Sequence, residues 1–457
     1  MVDLGLAGFF FGMLTLGLRR PFIWVLTYLY VDIVSPQKIS YFLLASLPVS
    51  LIAFIAAFSS WLFLDDKRDS RFTFRQVLLL FLLVYCGLTT LSADFAVEAL
   101  NKWEWVWKAL VFAIFLPLTL RTRLRFEVVV LTMVLSAGSI IITGAIKTLA
   151  SGGGYGALKF FVNDNTGLYE GSIISCVAIS IIPLIAWLMK HGTIFPPDRK
   201  VKLFCLALIF ACLLIPVGTQ ARTGLMCIGL LGVLTLRSVK RRFLYISVVA
   251  VLSLIAIPLL PESYTKRMSM IENHSSDQSA STRMAVWAWT WDYAKSHPMG
   301  GGFEAYRQNK LNVELTNTET SGNTTAVAKG LVADKARAYH SSYFEMLGEQ
   351  GWPGLLVWLL LQVMGIWQME VLRRRWTKRA AEPDAEKASQ WQAPLANALQ
   401  QAQVIYLLGA AFVGIAYQPF ILMLIAIQCG LWSYLERYEK TKNAARIAIP
   451  LRRELQV

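Results

Sequence analysis

The sequence is short of charge, short of histidine and without paired acids in its long loop, and each shortage excludes a class of protein. Only 16% of the 457 residues are charged, against 56% hydrophobic. A soluble domain carries roughly a quarter charged residues and cannot hide this much apolar surface. The six cysteines (Cys86, Cys176, Cys205, Cys212, Cys227 and Cys429) all fall inside apolar runs. That placement excludes a disulfide framework and zinc-ligand spacing, and makes them small buried hydrophobes. The long late loop has no D-x-D or E-x-D pair; Asp292, Glu304, Asp334 and Glu345 are scattered. A Mg²⁺ or Mn²⁺ site wants convergent carboxylates, so no metal and no cofactor are expected. The N-terminus lacks a basic stretch and a small-residue cleavage site, and its apolar run reads as an anchor.

What is present is a succession of apolar runs, near residues 4–18, 21–34, 41–64, 76–92, 103–120, 126–147, 171–189, 202–218, 222–236, 243–260, 352–372 and 400–433. A bilayer core about 30 Å thick takes roughly 20 such residues per helix. The expected fold class is an all-α polytopic membrane protein of about 12 transmembrane helices with a small helical periplasmic cap. Three regions follow: an N-terminal transmembrane bundle over 1–260, a periplasmic loop or cap over 261–351, and C-terminal transmembrane helices with a cytoplasmic tail over 352–457. The last run is too long for one span, and Gln418-Pro419 in its middle would kink or split it.

The formal charge of +15 is confined to short clusters between the runs. They are Lys67, Arg68, Arg71 and Arg75; Arg121, Arg123 and Arg125; Arg237, Lys240, Arg241 and Arg242; and Arg373, Arg374, Arg375, Lys378 and Arg379. The basic loops follow every second span, as the positive-inside rule requires, and such clusters face the cytoplasm and its anionic lipids. No basic, aromatic-interleaved module exists for DNA or RNA, so nucleic acid is excluded as a partner. In the late loop, residues 281–289 open an aromatic helix, Gly300-Gly301-Gly302 must turn, and the Thr/Asn/Ser/Gly-rich stretch from Glu314 to Lys329 reads as mobile.

Of the four histidines, His191 reads as a loop residue, His274 sits in a polar stretch and His297 precedes Pro298. His340 differs, standing just above a span in Ala338-Tyr339-His340-Ser341-Ser342. An imidazole titrates near neutrality and can accept a proton from a sugar hydroxyl, although an interfacial histidine is more often structural. Arg222 lies in Gly218-Thr219-Gln220-Ala221-Arg222-Thr223-Gly224, between two spans with almost no loop. A guanidinium there either snorkels to water or meets an anion, and its fork matches phosphate oxygens. Arg283 and Arg307 are further cations on the same face, each with a plain salt-bridge reading. Apolar spans, interfacial cations and a base above them suit a lipid diphosphate bearing a sugar chain.

Three segments carry a resemblance to a known family. Residues 218–224 are similar to the arginine-containing turn of the bacterial O-antigen ligase and polymerase superfamily. Arg283 with Trp287, then His297-Pro298-Met299-Gly300-Gly301-Gly302-Phe303, resembles its R…W…P-x-G-x-G-F segment, and residues 340–351 resemble its H-[NS]-x-x-[LF]-x-x-[LM]-x-E-x-G signature. The resemblance implies a metal-independent, inverting glycosyltransferase of the inner membrane, working on its periplasmic face. Ligases of this kind move a glycan from undecaprenyl diphosphate to lipid A–core. His340, Arg222 and Arg283 are then the catalytic set, with His340 the candidate base. Arg222 and Arg283 would bind the diphosphate, and Arg307, Tyr306, Lys335, Arg337 and Tyr339 would line the substrate path. Residues 163–167 depart from the family's acidic-amide turn. The alternatives are an O-antigen polymerase, a protein O-oligosaccharyltransferase or, in another class, a flippase or transporter of the lipid-linked glycan. The last would place several charges deep within spans and show paired repeats.

Overall fold

A computed structural model describes residues 2–67, 71–154, 158–161, 167–237, 278–321, 324–382 and 390–454, with backbone only at 278–280, 312–321, 324–334 and 442–454. The expected span over 243–260, the cations Arg68 and Lys240 to Arg242, His274 and most of the 163–167 turn lie outside the described residues. Within them the order is α1 (Val2–Arg19), α2 (Phe22–Val34), α3 (Pro36–Ile39), α4 (Val49–Ser59), α5 (Phe74–Leu91), α6 (Ala96–Thr119) and α7 (Arg123–Ser151). Next come α8 (Gly171–His191), α9 (Arg199–Thr219), α10 (Arg222–Leu236) and α11 (Gln278–Ser296). A hairpin, β1 (Lys310–Ser321) and β2 (Thr324–Lys335), precedes α12 (Ser342–Ala380), α13 (Gln392–Ala410) and α14 (Pro419–Glu454).

Side-chain caps set where several helices begin. The hydroxyl of Thr73 accepts from Gln76 N–H in a reciprocal capping box at α5, and Thr122, Glu170 and Asp198 cap α7, α8 and α9. Among the described residues, seven helices are long and apolar enough to cross a bilayer, and Phe22–Val34, Val49–Leu64 and Arg222–Leu236 are shorter apolar ones. Their outward faces carry large exposed hydrophobes, such as Leu80, Val84 and Leu88 on α5 and Leu356, Val363 and Trp367 on α12. Apolar outer surface on this scale belongs in lipid. The protein is a multi-pass membrane protein, although the described helices do not establish a count of twelve.

The 400–433 run is split as expected into two helices, α13 and α14, parted by residues 411–418, and Pro419 opens α14, where its missing N–H has no ladder partner to lose. Two sequence readings change. The Glu314–Lys329 stretch, expected to be mobile, is an antiparallel hairpin running in register from Lys310↔Lys335 to Ser321↔Thr324. Its threonines and valines are β-branched residues that suit a pleated strand, so the part outside the bundle is not purely helical. Arg75, counted among the loop cations, is completely buried in the first turn of α5.

The contacts at the helix ends divide the bundle into two ends. Arg121, Arg123, Arg125, Arg237 and Arg373 to Arg379 gather at one end. The Asp65 carboxylate takes both Arg125 Nη atoms at 2.9 Å, and Arg123 donates to His191 O across the end of α8. The opposite end holds the starts of α6, α8 and α12 and the α13–α14 break, beneath α11 and the hairpin.

Candidate functional site

The His340 turn is built from below and from the side. Below it, α12 is broken at Gly351, whose backbone is non-helical at φ 61° and ψ −163°. The break lets the 298–302 turn dock against the helix: Trp352 N–H donates to Pro298 O, Gly301 N–H to Gly348 O and Gly302 N–H to Glu349 O. A Cβ at Gly300 would lie 2.4 Å from Glu349 O, and one at Gly351 2.2 Å from Pro298 O. These glycines therefore serve close backbone approach. From the side, Trp287 of α11 donates its indole N–H to Tyr339 O at 2.8 Å and stacks on Phe344. Arg283 stands one turn before Trp287 on the same helical face, which is the physical content of the R…W spacing. His340 itself takes a left-handed backbone, φ 47°.

The turn overhangs a cavity of about 700 Å³ lined from α6, α8, α11, α12 and the α13–α14 break. Its floor holds one buried cation. Lys102 Nζ lies 2.8 Å from Glu345 Oε1 and 2.8 Å from Glu349 Oε1, over the rings of Phe303 and Tyr417. Glu349, one turn after Glu345 on α12, is wholly buried and also accepts Glu304 N–H at 3.0 Å. The second oxygen of Glu345 accepts Ala416 N–H, and Ser342 ties the same break by accepting Ile415 N–H and donating to Val413 O. Among the described lining residues, five carboxylates (Glu98, Glu170, Glu304, Glu345, Glu349) face three cations (Lys102, Arg283, Arg307). The cavity is therefore not a bare cationic pocket, and its acids are placed to accept from hydroxyl groups.

Of the eight residues singled out by sequence, five line this cavity: His340, Arg283, Arg307, Tyr306 and Tyr339. Arg307 Nε donates to Glu304 Oε2 at 3.1 Å and reaches toward Glu98. Tyr306 sits edge-on to Tyr339; burial and its bond to Glu304 push its phenol up to about 12, so it stays a proton donor. Although His340 is exposed as a residue, the surrounding walls withdraw water from its ring. That desolvation, then the charges of Arg283 and Arg337, hold its pKa below the free value of 6.5. The imidazole is consequently neutral near pH 7 and able to take a proton.

Arg222, Arg337 and Lys335 are not among the lining residues. Arg222 is half-buried at the start of α10, beside the Gly171–Thr219 contact that closes the same end of the bundle. Arg337 is held by Asn309, which binds its backbone N–H and carbonyl, and Lys335 ends the hairpin exposed. Sequence reasoning missed Lys102 and Glu349. Glu349 was visible as the acid of the H…E-x-G pattern, and Glu345 as one of the scattered acids. No local signal pairs them with a lysine about 240 residues earlier. His297, stacked on Tyr293, stands apart from the cavity lining.

Comparison with known proteins adds two findings. Residues 206–359 match a family model described as O-Antigen ligase, a stretch that holds Arg222, Arg283, Arg307 and His340. Residues 1–193 match a family of unknown function, and Lys102 lies there. No curated protein matches the chain significantly.

Proposed function

The chain belongs to the O-antigen ligase and polymerase superfamily, and from that premise we propose that it ligates a polyprenyl-linked O-antigen to lipid A–core. The observation that carries this reading is a single one: an imidazole, two guanidiniums and a wall of carboxylates line one cavity at an end of an apolar bundle. The donor would be undecaprenyl-diphosphate-linked glycan, with its tail among the exposed hydrophobes and its head at the cavity mouth. The basic end then faces the cytoplasm of a bacterial inner membrane, and the cavity faces the periplasm.

In the proposed reaction the acceptor sugar hydroxyl attacks the anomeric carbon of the donor as its proton passes to the free ring nitrogen of His340. A new C–O glycosidic bond forms, and the anomeric carbon's bond to the phosphate oxygen breaks with its electron pair leaving on undecaprenyl diphosphate. Arg283 and Arg307 offset the charge growing there, which is the electrostatic task a metal ion performs elsewhere. His340 then returns its proton to water. Arg222, outside the lining, would meet the diphosphate only at the rim and carry a smaller share. Tyr306, Tyr339, Lys335 and Arg337 flank the glycan's path, and Glu98, Glu170 and Glu304 accept from its hydroxyls.

The test is transfer of labelled glycan by purified protein in liposomes holding donor and lipid A–core, with chelator present. Ligation should produce laddered lipid A–core. Elongated free donor would identify a polymerase instead, and complete loss in EDTA with recovery in Mg²⁺ would overturn the metal-free mechanism.

A further inference from the structure

The end of the bundle remote from the cavity holds a further polar recess, of about 480 Å³, between the start of α5, Gln368 of α12 and the middle of α14. Arg71, Arg437 and Lys440 line it together with the Thr73 cap of α5, and Glu436 is the one carboxylate among the described lining residues. Positive charge is also stored behind its wall. Gln368, only 6% exposed, lines the recess, and its Oε1 accepts from Arg75 Nη1 at 3.5 Å. Arg75 is fully buried, and it also donates to a second neutral amide, Gln428, at 2.9 Å. Among the described residues no carboxylate binds this guanidinium, and its Nε is buried without a hydrogen-bond partner.

A buried cation bonded to neutral amides at the positive end of a helix is costly unless an anion lies close by. The rim tells which anion. Phe72 and Phe74 are more than half exposed on the same segment, and Trp432 joins the lining. Aromatic residues beside lysine and arginine mark the level where headgroups meet acyl chains. A soluble anion would gain nothing from two exposed phenylalanines.

We propose that this recess binds the phosphate headgroup of an anionic phospholipid from the leaflet at the basic end. Arg71, Arg437 and Lys440 contact the phosphate, while Phe72 and Phe74 lie along the acyl chains. The site is separate from the glycan cavity and does not depend on the transfer reading.

Native mass spectrometry of the full-length protein, with phosphatidylglycerol and phosphatidylcholine of matched chains supplied in detergent, tests it. Phosphatidylglycerol should be retained in clear preference, and each cation lost should lower retention about fivefold. The variant R71Q/R437Q/K440Q should erase the preference. Should that variant fail to fold, the single variants R437Q and K440Q serve, each with the same expected loss. Equal retention of the two lipids, or a preference untouched in the variants, overturns the site. Displacement of phosphatidylglycerol by inorganic phosphate at comparable concentration would assign it to a soluble anion and overturn the lipid claim.

Discussion

At the cavity end of the bundle, a lysine whose side chain is 11% exposed sits between two carboxylates, one of them fully buried. At the basic end, Arg237 and Arg374 are 47% and 71% exposed and share Glu370, while Arg375 and Arg379 share Glu439. The same charges are used for different ends. Exposed pairs are solvated whether or not they form and contribute little; a buried cluster must be complete, because any member left alone keeps its full desolvation penalty. The basic end can therefore lose single members and still hold its orientation through net charge. The cavity end cannot, and it also ties distant parts of the chain together, since Lys102 lies in the segment of unknown function and both carboxylates lie in the ligase-like one.

The sharpest way to break the contrast is Lys102→Met. It strands two carboxylates in the floor and should lower stability by about 3–5 kcal/mol and abolish glycan transfer. Lys102→Met combined with Glu345→Gln and Glu349→Gln should recover much of the stability but not the transfer. Thermal unfolding in detergent, followed by tryptophan fluorescence, reads this out; an unchanged melting temperature for Lys102→Met would show that the cluster is no more demanding than a surface pair. Next comes His340→Ala, expected to cut transfer about 10²–10⁴-fold with little effect on unfolding, because the residue is exposed. The sign of its pH dependence follows from its lowered pKa: the neutral base survives as pH falls past 6.5 and is lost only below that. An acid limb centred above 6.5 would point to a different group. Arg283→Gln should follow, at about 10²–10³-fold. Arg222→Gln, outside the lining, should cost less than Arg283→Gln in the same transfer assay, and the reverse order would move the diphosphate out of the cavity.

How much of this was legible in the sequence depends on the range of the signal. Apolar runs and basic loops are local, so the helical class and the gathering of cations at one end were readable, as was the break at Pro419. Part of the neighbourhood of the motif residues was readable too, since Arg283 stands one turn before Trp287, whose indole holds Tyr339 O, and the glycines at 300–302 sit in backbone contact with residues 348–351. The hairpin was misread because threonine-rich composition suits both loops and strands, and only cross-strand pairing decides between them. Arg75 was misread because a cation at a span's edge gives no local hint of the glutamines on α12 and α14 that enclose it. Lys102 was missed for the same reason on a larger scale: its partners come from another part of the chain, and the fold alone brings them together.

The smallest expected effect lies at the basic end, and it tests the comparison from the other side. Asp65 holds Arg125 in a two-pronged pair, and the guanidinium also lies 4.7 Å from the Phe22 ring. The pair is partly exposed, at 26% for Arg125 and 13% for Asp65. Asp65→Asn removes the ion pair, keeps an amide that still accepts one bond, and leaves the contact with Phe22 in place. It should therefore cost no more than about 1 kcal/mol and leave glycan transfer unchanged. Raising the salt concentration should erase even that difference, because partly exposed charges are screened. A loss for Asp65→Asn comparable to that of Lys102→Met would mean that the basic end is also a closed cluster, with its charges fixed by packing and not by water.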